Sequence, residues 1–224
     1  MMQDTNFRPK AFLFDLNGTM INDMSYHADA WHAIITKRLG LAMSYEAVKK
    51  EMYGKNEELL IRVFGNNHFT SAEVDNISME KEKSYQEAYA PKLKLIDGLA
   101  DFLNTAKTAG IKMAIGSAAI PFNIDFVLDG LNARQYFDAI VSANDVKLSK
   151  PDPETFINAA KALGIEPQEC LVFEDVPKGV ESAHRAGMKC FVITTTHNIE
   201  EFKNFDNILG FIEDYHDPIL TNLF

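Results

Sequence analysis

The clearest hydrophobic run near the start of the chain is Ala11-Phe-Leu-Phe14, four apolar residues that end on a carboxylate, Asp15. An unbroken apolar run of this length predicts a strand buried on both faces. Gly18 then permits a sharp turn, and Thr19 places a hydroxyl on it. After a short polar stretch, Met20–Tyr26, the period changes. Ala30, Trp31, Ile34, Ile35 and Leu39 recur at helical spacing, closed by Gly40. Tyr45–Tyr53 and Glu57–Phe64 predict two more short helices, punctuated by Gly54 and by Gly65-Asn66-Asn67. Ser71–Tyr89 predicts a long, charge-rich helix capped by Thr70 or Ser71, with Pro91 beyond its end. No second strong strand signal occurs before Pro91.

From there helices and strands alternate. A helix from Asp97-Gly98 to Ala109 leads to a strand over Ile111–Ile115, which ends in Gly116-Ser117. A helix over Pro121–Leu131 precedes a short strand, Ala139–Ser142. Pro153–Leu163 is a helix, and Leu171–Phe173 is a strand ending in Glu174-Asp175. Val176–Ala186 is helical, Cys190–Thr194 is a strand, and Ile208–Ile212 predicts a last strand before a short terminal helix. This alternation predicts an α/β fold with a doubly wound parallel sheet. Right-handed crossovers then bring the carboxyl ends of the strands to one rim. The first strand belongs to that sheet, yet a helical block separates it from the next strand. The expected organisation is therefore a core of residues 1–20 and 93–224 with an inserted all-helical domain, 21–92. Because the insertion leaves and returns at the rim, it is placed to act as a lid, with hinges at Met20–Asp23 and Lys92–Asp97.

Composition narrows the function classes. Of the 224 residues 46% are hydrophobic, enough for a packed core, and the net charge of −10 argues against a nucleic-acid partner. A phosphorylated metabolite needs only a few local cations and stays compatible with that charge. No apolar run approaches the ~20 residues that span a bilayer, so no membrane partner is expected. The polar start, Met1 to Pro9, lacks the apolar region of a secretion signal. Cys170 and Cys190 each open an apolar run and have no metal-ligand spacing. A cytoplasmic, monomeric protein is the expectation.

The residues at the strand ends carry the chemistry. They are Asp15, Ser117 and the pair Glu174-Asp175, joined by Lys150 from the loop Lys147–Pro153. Three carboxylates on one rim repel unless cations balance them. A hard divalent ion with oxygen ligands, Mg²⁺ above all, meets that need, and Lys150 supplies a second positive centre. Together these groups describe a phosphoryl site, with metal, ammonium, hydroxyl and backbone amides around the oxygens and a carboxylate positioned to attack phosphorus.

These motifs stand as Phe14-Asp15-Leu16-Asn17-Gly18-Thr19, Ile115-Gly116-Ser117-Ala118, Ser149-Lys150-Pro151-Asp152-Pro153 and Phe173-Glu174-Asp175-Val176-Pro177-Lys178-Gly179-Val180. In that order the chain resembles the haloacid dehalogenase superfamily, in its β-phosphoglucomutase-like branch, over nearly its whole length. The resemblance implies a Rossmann-like core with a mobile helical cap. It implies Asp15 as the nucleophile that forms an aspartyl-phosphate, with Ser117 and Lys150 binding the transferring group. Gly18, Thr19 and Ala118 would line the same phosphoryl site. Asp15, the backbone carbonyl of Asn17, Glu174 and Asp175 would surround Mg²⁺. One departure stands out: the family usually carries Asp where this chain has Asn17. A carboxamide can donate a hydrogen bond but cannot shuttle a proton, so weak turnover with intact Mg²⁺ and phosphate binding is expected unless another group, His27 being the nearest candidate, replaces the acid.

Tyr26-His27 through Trp31 resembles the cap entry of β-phosphoglucomutases, and Lys55 and Lys81 are cations that could meet a second anionic group of the substrate. Glu57 stands where the mutases carry an Arg for the distal phosphate, which favours a phosphatase over a mutase. The leading expectation is Mg²⁺-dependent phosphoryl transfer on a small phosphorylated metabolite, such as a sugar phosphate. The alternatives are a pyrophosphatase, a metal-independent haloacid dehalogenase, or a catalytically weak phospho-ligand-binding protein.

Overall fold

The structure, a computed structural model, describes residues 7–224; the polar segment Met1–Asn6 lies outside the described residues. Strand β1 (Ala11–Phe14) leads into four helices, α1 (Met24–Ala33), α2 (Tyr45–Glu51), α3 (Asn56–Phe64) and α4 (Ser71–Tyr89). Alternation follows: α5 (Leu99–Thr108), β2 (Lys112–Gly116), α6 (Pro121–Gly130), β3 (Ala139–Val141), α7 (Glu154–Leu163), β4 (Cys170–Glu174), α8 (Pro177–Arg185), β5 (Lys189–Ile193) and β6 (Ile208–Ile212). The chain divides into two compact units, one of Met1–Asn22 with Lys94–Phe224 and one of Asp23–Leu93.

In the first unit the six strands form one parallel sheet in the order β3-β2-β1-β4-β5-β6. β1 lies at its centre, with Phe14 opposite both Ile115 of β2 and Phe173 of β4. The chain winds outward from β1 in both directions, so the strand order reverses between β1 and β4. In open α/β sheets that reversal opens a crevice at the carboxyl ends of the strands, where ligands bind.

The run Ala11–Phe14 is wholly buried because it feeds two cores at once. Successive side chains of a strand point to opposite faces. Phe12 and Phe14 therefore meet Phe102 and Phe173 on one face, the Phe14 and Phe173 rings stacking at 4.8 Å. Ala11 and Leu13 join Val172, Phe156 and Val180 on the other. Burying each of these phenylalanines stabilises the sheet by about 1.5–3 kcal/mol, and this packing fixes the height of Asp15 at the strand's end.

The second unit is built around Trp31, Ile35, Val48, Leu59, Leu60 and Ile77. Its long helix α4 starts at a reciprocal cap: the Glu73 amide donates to the Thr70 hydroxyl, and the Thr70 amide donates to the Glu73 carboxylate. One element differs from the sequence expectation. Helix α1 begins at Met24, inside the stretch read as short and polar, and ends in a wider π-type turn over Ile34–Arg38. Its first turn packs through rings that a hydropathy pattern scores as polar: Tyr26 lies 4.9 Å from the Tyr89 ring, and His27 stacks on Tyr85 at 3.7 Å. Among the described residues no helix is long and apolar enough to cross a membrane.

Candidate active site

The site grows from the switch point. The Asp15 amide donates to the Phe173 carbonyl at 3.0 Å, which ties the first residue past β1 to the end of β4. The chain then turns tightly, with the Gly18 amide donating to the Ile21 carbonyl and the Met20 amide to the Leu16 carbonyl, both at 2.8 Å. Gly18 holds φ +81°, a conformation that L side chains rarely adopt. It is also a seat: a Cβ here would lie 2.0 Å from the Asp175 Oδ2 atom. Gly179 plays the same part for the neighbouring acid, since a Cβ there would lie 1.8 Å from Glu174 Oε1.

Lys150 reaches this rim from the loop before α7. Its ammonium donates to Asp15 Oδ1 and to Glu174 Oε1, each at 2.7 Å. Burial works against a charge on Lys150, but Asp15 and Glu174 outweigh it and hold its pKa above the ordinary lysine value. Glu174 is satisfied on its other oxygen too, where Oε2 accepts the amides of Asp175 at 2.8 Å and of Val176 at 3.0 Å. Asp175 accepts from the Thr19 hydroxyl on Oδ1 at 3.1 Å and from the Thr196 hydroxyl on Oδ2 at 2.6 Å. Burial, then Glu174 and Asp15, push the Asp175 carboxyl well above the usual range.

Three carboxylates thus share a dry rim with one ammonium. Asp15 and Lys150 are each 8% exposed, Asp175 1% and Glu174 0%. That imbalance suits a divalent cation, and the oxygens of Asp15 and Asp175 are hard donors of the kind Mg²⁺ takes. Among the described residues no group of three or more His, Cys, Asp or Glu side chains is gathered as a metal shell. A site completed by a backbone carbonyl, such as that of Asn17, does not need one.

The remaining residues singled out from the sequence fall in three places. Ser117 is buried just past the end of β2, its amide donating to the Val141 carbonyl at 3.0 Å and its hydroxyl accepting the Ala119 amide at 3.1 Å. Ala118 is half-buried between them. Asn17 is half-buried in the turn after Asp15, where it bridges to Ile21. Lys55 precedes α3, and its amide donates to the Glu58 carboxylate at 3.0 Å.

His27 and Lys81 meet inside the helical unit. Lys81 Nζ lies 2.6 Å from His27 Nδ1 and donates to Glu82 Oε2 at 2.9 Å. With Lys81 as an ammonium, Nδ1 accepts and the His27 proton sits on Nε2; burial lowers the Lys81 pKa, and Glu82 opposes that shift. That nitrogen faces Asp23 Oδ2 at 3.3 Å, where the Tyr85 hydroxyl also donates at 2.5 Å. Asn56 donates to Glu82 Oε1 at 2.7 Å. Burial, and after it the charge of Lys81, lower the His27 pKa. Burial alone would raise Glu82, but the charge of Lys81 and the hydrogen bonds from Asn56 and Lys81 outweigh it and hold the carboxyl below its ordinary value. Lys81 is 2% exposed, so its charge is already engaged.

Sequence reasoning missed Thr195, Thr196, Asp23, Glu82 and Asn56. The threonines were within reach: the rule that strand ends carry the site, applied to Thr194-Thr195-Thr196 after β5, would have found them. Asp23 and Glu82 had no such signal, because each sits in a polar segment that the pattern assigns to solvent.

A family model described as haloacid dehalogenase-like hydrolase matches residues 9–187. The chain is 31% identical over 211 residues to validoxylamine A 7'-phosphate phosphatase of Streptomyces hygroscopicus subsp. limoneus, covering 93% of this chain and 97% of the relative. It is 28% identical over 185 residues to a fructose-1-phosphate phosphatase of Escherichia coli (strain K12), covering 81% and 94%. In fold it is similar to a β-phosphoglucomutase from Clostridium difficile, with a TM-score of 0.80 at 24% identity over 96% of this chain and 97% of that one. The ordered strand-end motifs, the reversed sheet and these likenesses agree: the chain belongs to the haloacid dehalogenase-like hydrolases.

Proposed function

We propose that this protein is a Mg²⁺-dependent phosphatase acting on a small phosphorylated metabolite, a sugar monophosphate or a close analogue, through a phosphorylated Asp15. The observation that carries this reading is Lys150 bonded to both Asp15 and Glu174 at the switch point, with Asp175 held beside them. The names of the two phosphatase relatives support the substrate class.

Asp15 supplies a carboxylate oxygen to attack phosphorus; the bond from phosphorus to the ester oxygen breaks, and the leaving alkoxide takes its proton from solvent water. Water then attacks the acyl phosphate, which frees inorganic phosphate and restores Asp15. Lys150 sets against the phosphoryl oxygens a positive charge that two acids keep in place, and Ser117 and the amides after Asp15 add donors. Asp15, Asp175 and the Asn17 carbonyl would hold Mg²⁺, which when bound neutralises phosphoryl charge. Glu174 spends its oxygens on Lys150 and two amides, which favours it as the anchor of that lysine. The Asn17 carboxamide is too weak an acid to give the leaving alkoxide its proton, so turnover is slow.

The helical unit is proposed as the cap that selects the substrate. Lys81 is engaged by Glu82, and Asp23 adds a second acid with His27 neutral.

A panel of phosphorylated metabolites, assayed for phosphate release with Mg²⁺ and with chelator, tests the reading. Release should need Mg²⁺ and vanish in Asp15→Asn. Metal-independent halide release from a haloacid, or full activity in Asp15→Asn, would overturn it. Asn17 also favours a second reading, a phospho-ligand-binding protein: saturable binding with no product over hours would select it.

A further inference from the structure

Thr195 and Thr196 follow β5 and belong to none of the motifs that define the site. Yet each hydroxyl reaches one of its loops. Thr196 Oγ1 lies 2.6 Å from Asp175 Oδ2 and 3.0 Å from the Asp175 carbonyl. A hydroxyl has a single proton to donate, and the shorter bond, to the Asp175 side chain, takes it. Thr195 Oγ1 donates to the Gly18 carbonyl, one peptide beyond Asn17. Thr19 holds the other Asp175 oxygen, at 3.1 Å.

We propose that Thr195 and Thr196 form a two-hydroxyl clamp that positions the Mg²⁺ ligands of this enzyme, Thr196 through Asp175 and Thr195 through the turn that presents the Asn17 carbonyl. This rests on the reading of the site as a Mg²⁺ site. With Thr19 on Oδ1 and Thr196 on Oδ2, the Asp175 carboxylate cannot rotate, and each oxygen keeps a lone pair for a cation. The Gly18 seat, with no room for a Cβ beside Oδ2, closes the third side. Neither threonine needs to touch substrate; both act through the groups they hold. The ends of β1, β4 and β5 are thereby tied together at the rim by side chains lying 177 and 21 positions along the chain from their partners.

The test is Mg²⁺ binding measured by titration calorimetry, beside the kinetics. Thr196→Val keeps the shape and removes the donor; Thr196→Ser keeps the donor. Losing such an outer partner of a metal ligand weakens affinity about 10–100-fold. Thr196→Val should therefore bind Mg²⁺ about that much more weakly and need correspondingly more Mg²⁺ for half-maximal rate, while Thr196→Ser stays near wild type. Thr195→Val should weaken binding in the same direction. If Thr196→Val does not fold, Thr196→Ala against Thr196→Ser makes the same comparison. Wild-type affinity in the donor-less variants overturns the clamp. Absence of Mg²⁺ binding by the unaltered protein overturns instead the reading beneath it.

Discussion

Lys150 donates to Asp15 at 2.7 Å across 135 positions of sequence, and this contact binds the loop before α7 to the end of the central strand. The same ammonium holds Glu174. It is the cation around which three buried acids are arranged, so its removal acts on stability as well as chemistry. Breaking a buried ion pair from one side costs about 3–5 kcal/mol, because the partner charge is left uncompensated. Lys150→Met should lower unfolding free energy by about that much in denaturant titrations and abolish phosphate release. Added Mg²⁺ should recover part of the stability and none of the activity. Full activity in Lys150→Met would remove the lysine from the mechanism.

The two glycine seats give a second prediction. Gly179→Ala drives a methyl group into the Glu174 carboxylate, whose own anchors are Lys150 and two amides. Glu174 must shift and Lys150 must follow, so activity should fall steeply. Gly18→Ala adds backbone strain to a clash with Asp175, and its Mg²⁺ affinity should fall as well. Calorimetry separates the two: Gly179→Ala retains more Mg²⁺ binding than Gly18→Ala. The opposite order would mean that Glu174, not Asp175, is the stronger metal ligand.

Asn17 sets the third expectation. General acid–base help is worth about 10²–10⁴ in rate. Asn17→Asp should raise kcat on the best substrate by a factor in that range and leave Mg²⁺ affinity near its original value, because the proposed metal contact is through the backbone carbonyl. An unchanged kcat would show that another group already supplies the proton.

How much of this was legible beforehand follows from what each feature depends on. β1 and the strands beside it announce themselves through apolar runs, and Asp15, Ser117, Lys150, Glu174 and Asp175 sit at or beside strand ends, so local pattern and parallel winding suffice to find them. Thr195 and Thr196 were open to the same rule, although their partners on Gly18 and Asp175 show only once β5 is known to lie beside β4. Glu82 was illegible: α4 reads as a charged, solvated helix, and only tertiary packing shows that Lys81 and Glu82 face inward together. The start of α1 was missed because Tyr26 and His27 pack by stacking, which hydropathy does not score.

His27 should make the helical unit acid-sensitive. Its pKa in the folded protein lies below the ordinary 6.5, chiefly through burial. The unfolded chain therefore binds a proton that the folded chain refuses. Stability from the neutral ring is present above about pH 6.5 and is lost as pH falls toward the lowered folded value. Tm followed from pH 7.5 to 5 should fall, and His27→Gln should flatten that fall although it lowers Tm at neutral pH. An equally steep fall in the variant would place the sensitivity elsewhere.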